Sequence, residues 1–344
     1  YLLIRTNKTI ENFMYPFAIL FNINANRSFG IKNHRHIPFR MRNTDKKGIM
    51  AMGMTNVGNL LELRRIYSRG ITGKGITTAV LDTGIYAHPD FFIPRNKIVY
   101  FQDFIRNRKG PFDDNGHGTH VSGIIASGGR LGDGSGIGVA PESGIVMLKV
   151  LEKDGSGKIK NMLKGMEWIL LNHEKYGIRI VNISVGMPVK NIENPEEEEL
   201  VKKVEQLWNT GLVVVVAAGN DGPAPYTITS PGTSRKVITV GTGKEAGGDY
   251  SGQGPVPGTC VCKPDIIAPA INILSCDNHG KNYKRRSGTS MATPIVSGTV
   301  ALLLSNEPWL SNRDVKIRLM QSALDCGMAK SRQGWGLLNP EGIL

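Results

Sequence analysis

The chain reads as an α/β protein with a mostly parallel central sheet flanked by helices on both faces, and three observations predict this. Strand-like runs alternate with helix-patterned runs along most of the 344 residues, the order that produces βαβ units and helices on both sides of a sheet. The run at 212–218 is apolar throughout, as a strand covered on both faces must be. The residues with the most chemical potential fall at strand ends or helix starts, the side on which such sheets bind ligands.

The elements follow in order. Residues 1–47 mix apolar pieces with basic, Asn-rich stretches and lack clean patterning, so they are expected to form an N-terminal extension to a single domain at 48–344. A helical stretch at 60–68 ends at Gly70, and Thr72-Gly73-Lys74-Gly75 is a turn. A strand at 76–81 runs into Asp82, and Gly116-His117-Gly118-Thr119-His120 opens a helical run to Ala126. Strands are expected at 145–151, 178–183, 212–218 and 237–240, with helices at 159–173 and 196–209. The acidic run 196–199 suits the N-terminal turn of its helix. Ser287-Gly288-Thr289-Ser290-Met291-Ala292-Thr293-Pro294 precedes an apolar run at 295–304, where Ala292, Ser297, Gly298 and Ala301 keep a helix thin enough for a crowded interior.

Composition narrows the classes. The longest apolar runs are far shorter than the roughly 20 residues of a membrane span, so no membrane partner is expected. The net charge of +13 is densest at Arg27, Lys32, Arg35, Arg40, Arg42, Lys46 and Lys47. No aromatic-interleaved or zinc-type motif accompanies that cluster, and nucleic acid is not an expected partner. Cys260, Cys262, Cys276 and Cys326 lack metal-ligand spacing and read as free thiols. That favours a reducing, cytoplasmic setting. Secretion is the alternative, because the chain opens at Tyr1 and not Met.

Ser290 would open a helix whose free N–H groups can receive negative charge. Alone it reads as a helix cap, just as Asp82 reads as a strand-end carboxylate, His117 as a helix-start histidine and Asn220 as a turn residue. Together they form a reactive set. A serine hydroxyl needs an imidazole to take its proton, and the imidazole needs a carboxylate to hold its tautomer and stabilise its cation. The oxyanion formed next needs aligned donors, which the Asn220 amide and the Ser290 N–H could supply.

Val80-Leu81-Asp82-Thr83-Gly84-Ile85, Asn115-Gly116-His117-Gly118-Thr119-His120-Val121, Ala217-Ala218-Gly219-Asn220 and Gly288-Thr289-Ser290-Met291-Ala292-Thr293-Pro294 resemble the signature blocks of the subtilisin-like serine proteases, in that family's Asp, His, Ser order. Gly334-Trp335-Gly336-Leu337-Leu338-Asn339 resembles the family's closing segment, so the likeness runs from about Gly48 to the end. The resemblance implies the subtilisin-like three-layer fold and a serine endopeptidase. Asp82 would orient, His117 act as base and acid, Ser290 attack and Asn220 stabilise the oxyanion, while His120 packs.

The same resemblance assigns substrate binding to three segments. Ser184-Val185-Gly186 and Ala217-Ala218-Gly219 would line the pocket for the residue before the cut, and Gly155-Ser156-Gly157 would pair with substrate backbone as an edge strand. Asp221 would sit near the pocket rim or simply be a solvated loop residue. The Ser230–Pro231 peptide bond is expected to be cis.

Val150-Leu151, Ile183-Ser184 and Pro264-Asp265-Ile266-Ile267-Ala268-Pro269 look most like the bacterial intracellular, AprX-type branch. Gly252-Gln253-Gly254-Pro255 departs from the family's usual block and puts outer subsites in question. Catalysis requires no cofactor. A structural calcium ion would use Asp90 and the loop at 128–138, although this loop departs from the usual site. The expected partners are protein or peptide substrates, with residues 1–47 as part of an inhibitory prosegment. Ile37-Pro38-Phe39 resembles the cleft-blocking element of intracellular relatives, an ordinary proline-marked turn being the alternative. A catalytically silent scaffold is the competing function. An esterase is disfavoured because Ser290 lies in Gly-Thr-Ser-Met-Ala and not Gly-x-Ser-x-Gly.

Overall fold

In the computed structural model, residues 61, 63–129, 137–189, 195–243 and 249–344 are described. The extension at 1–47, with Ile37-Pro38-Phe39, lies outside them. A short helix α1 (Arg64–Ser68) leads into β1 (Thr77–Asp82), followed by β2 (Ile98–Asp103), α2 (His117–Ala126), β3 (Gly144–Lys149), α3 (Ile159–Asn172) and β4 (Ile178–Ile183). Then come α4 (Pro195–Asn209), β5 (Val213–Ala217), β6 (Ile238–Gly241) and β7 (Ile266–Ile267). The chain finishes with a hairpin of β8 (Ile273–Cys276) and β9 (Tyr283–Arg286), the long helix α5 (Thr289–Asn306), α6 (Asn312–Ser322), and the short helices α7 (Lys330–Gln333) and α8 (Pro340–Ile343).

Strands β1 to β7 form one parallel sheet in the order β2-β3-β1-β4-β5-β6-β7. Every residue of β1 and β5 is buried, which requires cover on both faces. Helices α2 and α5 pack against each other and on β1, while α3 and α4 pack against each other and on β1 and β5. These pairs flank the sheet in a three-layer α/β arrangement. All of α2 after His117 is buried. In α5, Gly298 passes so close to Val139 that an added Cβ would stand 2.6 Å from the valine Cβ. A larger residue there would overpack the layer, typically costing about 1–3 kcal/mol.

The topology reverses at β1: β2 and β3 lie on one side of it and β4 onward on the other. Ligand crevices form outside the carboxyl ends of strands at such a reversal. Register aligns those ends, pairing Asp82 with Lys149, Leu81 with Ile183, and Ile183 with Val216. Asp82, Ser184 and Ala217 therefore emerge along one edge of the sheet.

The expected strands and helices are present, with ends displaced by one or two residues, apart from the 60–68 stretch, whose helix begins only at Arg64. The sequence reading did not anticipate β2, β7, the β8–β9 hairpin or α6. β2 is a sheet edge with mostly half-buried residues, and β7 has only two residues, so neither leaves a clear apolar period. The Ser230–Pro231 bond is cis, as the resemblance implied. No helix among the described residues is long and apolar enough to cross a membrane.

Candidate active site

Asp82 ends β1 and is fully buried. His117 is the first residue of α2, where its ring is 19% exposed and its Nδ1 lies 2.8 Å from Asp82 Oδ1. Nδ1 donates in this pair, since the carboxylate can only accept. The same carboxylate oxygen accepts from the Thr83 N–H at 2.7 Å. Helix α2 reaches β1 because residue 118 is glycine. A Cβ there would stand 2.2 Å from the Gly84 carbonyl oxygen and 3.1 Å from the Asp82 Cβ.

Two residues that sequence reasoning missed hold this pair in register. The Asp113 carboxylate accepts from Thr83 Oγ1, the N–H groups of Asn115, Gly116 and Thr119, and Thr119 Oγ1. It thereby ties the loop after β1 to the first turn of α2. Lys149, buried at the end of β3, donates to the Thr83 carbonyl at 2.6 Å, Asp114 at 2.7 Å and the Leu151 carbonyl at 2.8 Å. Asp113 stands three residues before the N-cap Gly116, which has no side-chain cap, so the N-cap preference does not single it out. Lys149 offers no local signal either, because only the β1–β3 register places it.

Burial alone would lower the His117 pKa. The Asp82 charge and hydrogen bond, helped by Asp113 and opposed by Arg286, outweigh it and raise the imidazole above its ordinary value. His120, one turn further along, is fully buried, and its Nε2 donates towards the carbonyls of Ile273 and Lys284. Burial drives its pKa down to about 3. It is therefore a neutral packing residue, as expected.

From 289 to 304, Ser290 alone in α5 is not buried. Its hydroxyl donates to the Ser184 carbonyl at 2.7 Å; the structure places it on that oxygen and not in a hydrogen bond to His117. Asn220 is fixed through its side-chain oxygen, which accepts from the Thr289 N–H and Thr289 Oγ1. A Cβ on Gly288 would lie 3.6 Å from the Asn220 amide nitrogen, 3.8 Å from its oxygen and 3.9 Å from the Ser290 N, so the Asn220 amide and the Ser290 N–H are neighbours beside the helix start.

Ser184, Val185, Gly186 and Ala217, Ala218, Gly219 leave adjacent strands and are brought together around Thr229. A Cβ on Gly186 would stand 2.2 Å from Thr229 Oγ1, and one on Gly219 would stand 2.3 Å from Thr229 Cγ2. Thr229 N–H donates to the Ala218 carbonyl, and Ser230 pairs with Met187. Thr229 thus forms the floor between the two segments, a role with no local signal around it. The buried Asn182 links this wall to α5, donating to Ser184 Oγ and accepting from Ser297 Oγ. Gly155, Ser156 and Gly157 are exposed and belong to no strand. Asn115 ties their turn to the His117 side by donating to the Lys153 carbonyl. Asp221 is exposed beside Asn220.

Asp90 is fully buried, and its Oδ2 accepts from Ser127 Oγ, the Gly129 N–H and the Tyr283 hydroxyl. The side chains of His88 and Cys276 lie with it, their ligand-type atoms within 4.8 Å. A thiol and an imidazole are not the all-oxygen donors calcium prefers. Lys97 supplies a cation nearby: burial lowers its pKa to about 8, against the pull of Asp90. The described residues do not by themselves fit a calcium site, and 130–136 of the expected loop lie outside them.

A reversal-point sheet edge carrying this Asp–His pair and a helix-start serine is the arrangement of a subtilisin-like protein. The Subtilase family matches residues 73–336, and the chain belongs to that family. It is 41% identical over 280 residues to serine protease AprX of Bacillus subtilis (strain 168), covering 74% of this chain and 62% of that protein. The chain thus spans under two thirds of that relative's length. It is 34% identical to subtilisin BL of Lederbergia lenta, covering 80% of this chain and 93% of that one. Among solved structures, it is similar to a cold adapted subtilisin-like serine proteinase at a TM-score of 0.63 and 30% identity, covering 78% of this chain and 88% of that one. Sphericase superposes at a TM-score of 0.66 with 29% identity, covering 78% and 92%.

Proposed function

We propose that the chain is a serine endopeptidase acting on proteins or peptides through an acyl-enzyme on Ser290. The observation that carries the reading is the 2.8 Å Asp82–His117 pair at the sheet edge from which the Ser290 hydroxyl is also reached. In this reading Ser290 leaves the Ser184 carbonyl by rotating about its side-chain bond, and gives its proton to His117 Nε2. Its oxygen attacks the scissile carbonyl carbon. Negative charge develops on the carbonyl oxygen and is met by the Asn220 amide and the Ser290 N–H. His117 then protonates the leaving amine, and water activated by the same imidazole releases the acid product.

Asp82 holds the imidazole tautomer and stabilises its cation. The pocket walled by 184–186 and 217–219 receives the side chain before the cut, and Gly155, Ser156 and Gly157 offer backbone to the substrate as an added strand. The Ser290 hydroxyl, His117, Asp82, the Asn220 amide and the Ser290 N–H supply every proton transfer and charge in this reaction, so it requires no cofactor. Free thiols at Cys260, Cys262 and Cys276 support a reducing, cytoplasmic setting. Residues 1–47 are assigned as an inhibitory segment, and removing them should raise activity.

The test is turnover of fluorogenic peptides by the full chain and by Ser290→Ala. We expect a burst of acyl-enzyme in the former and a loss of about 10⁶-fold in the latter, a scale taken from subtilisin itself. A folded chain that binds peptides without cleaving them would instead be a scaffold.

A further inference from the structure

Arg286 is a charged group at this edge that the proposed reaction does not use. It ends β9, four residues before Ser290, and is half-buried. Its Nη2 is 3.3 Å from where a Cβ on Gly116 would stand, and Asn278 Oδ1 is 2.8 Å from the same point. Gly116 immediately precedes His117 and has φ of +94°. A side chain at 116 would be strained and would press on the guanidinium, so this glycine leaves the arginine its place beside the imidazole.

Among the described residues, nothing neutralises that charge. Arg286 Nε is buried without a hydrogen-bond partner, and no carboxylate pairs with the guanidinium among the described residues. Asp113, the carboxylate at this helix start, is already occupied by five donors. The positive charge opposes the Asp82-driven rise in the His117 pKa and adds to the burial that depresses His120, so it works against the imidazolium that catalysis must form. An unpaired, partly desolvated guanidinium is costly to keep, and a planar carboxylate is the partner it fits best.

The location specifies which part of a substrate would bring that carboxylate. His117 hands its proton to the leaving amine, so the residues after the cut lie on its side, away from the pocket around Thr229. We propose that Arg286 reads a carboxylate on the substrate just beyond the scissile bond, supplied by an acidic side chain in the first two positions or by the free end of the chain. This rests on the protease reading above and adds a specificity that the reading does not contain.

The experiment compares kcat/KM for quenched peptides identical up to the cut. After it they carry neutral residues with an amidated end, Asp at the first or second position with an amidated end, Lys at those positions, or neutral residues ending in a free carboxylate two residues on. A charge-assisted bond at a half-buried site is expected to favour the carboxylate peptides by roughly 10-fold over the neutral one. Arg286→Gln should erase that preference, and Arg286→Glu should turn it toward Lys. An advantage confined to Asp peptides assigns the carboxylate to acidic side chains; one confined to the free-ended peptide assigns it to chain ends. Cleavage of all peptides within twofold, or a preference that survives Arg286→Gln, overturns the inference and leaves the protease reading intact. Cleavage of none overturns both.

Discussion

The two halves of the site are built differently. The Asp82–His117 half is locked by charge. A buried carboxylate holds the imidazole, the five-donor Asp113 fixes the helix start, and the Lys149 ammonium bolts the loop to β3. The Ser290–Asn220 half is held by neutral groups alone, with Ser290 on the Ser184 carbonyl and Asn220 on Thr289. In the proposed reaction its nucleophile must rotate to reach the imidazole, and its amide nitrogen is left for the oxyanion. Proton transfer needs a pair whose alignment is fixed beforehand. The nucleophile and oxyanion donors need free valences that only the transition state satisfies.

If that contrast is right, removing the oxyanion donor should act chiefly on rate. Asn220→Ala is expected to lower kcat by about 10²–10³ with KM little changed, a magnitude established for the corresponding donor in subtilisin, and to cost about 1–2 kcal/mol of stability for the two Thr289 hydrogen bonds it removes. Steady-state kinetics with a thermal melt would check it, and a rise in KM at constant kcat would show that Asn220 binds substrate in its ground state.

The locked half should fail in the opposite way. Lys149→Met strips the donor from two buried carbonyls and from Asp114, which is about a quarter exposed. It should cost about 3 kcal/mol of stability and lower kcat by only about 10-fold. The Asp114 pKa, raised by desolvation but held below its usual value by Lys149, gives the effect a sign. The stabilisation is present above the unfolded carboxyl pKa and is lost as pH falls through the folded one. Chemical denaturation across acidic pH should therefore show the gap between variant and parent narrowing at the acid end by the Asp114 share, the part from the two carbonyls remaining.

In both halves the sequence disclosed the reacting groups and not the residues that support them. Asp82, His117, Asn220 and Ser290 stand in short, distinctive blocks at element boundaries, so both pattern and resemblance point to them. β5 was readable because it is buried on both faces and apolar throughout, and β1 and β4 because most of their buried positions are apolar. Lys149, Thr229 and Arg286 gain their meaning from register and cross-chain packing. Lys149 pairs with Asp82 through the sheet, and Arg286 arrives at His117 on a hairpin from far along the chain. His117 and His120 show the limit within one motif. They share a helix turn, yet one is raised by a carboxylate and the other driven down to about 3 by burial between two strands. α6 carries a capping box at Ser311 and Asp314, a local signal that was available without tertiary context.

The most direct test of an activated serine is intact-mass analysis of fluorophosphonate labelling across pH, on the full chain and on Ser290→Ala. Because Asp82 outweighs burial and raises His117, the neutral base is lost as pH falls through a value above the ordinary imidazole pKa of about 6.5. The account predicts one adduct, absent from Ser290→Ala, whose rate of formation rises through a single ionisation above pH 6.5. A folded chain that takes no adduct, or one labelled equally well after Ser290→Ala, would contradict it.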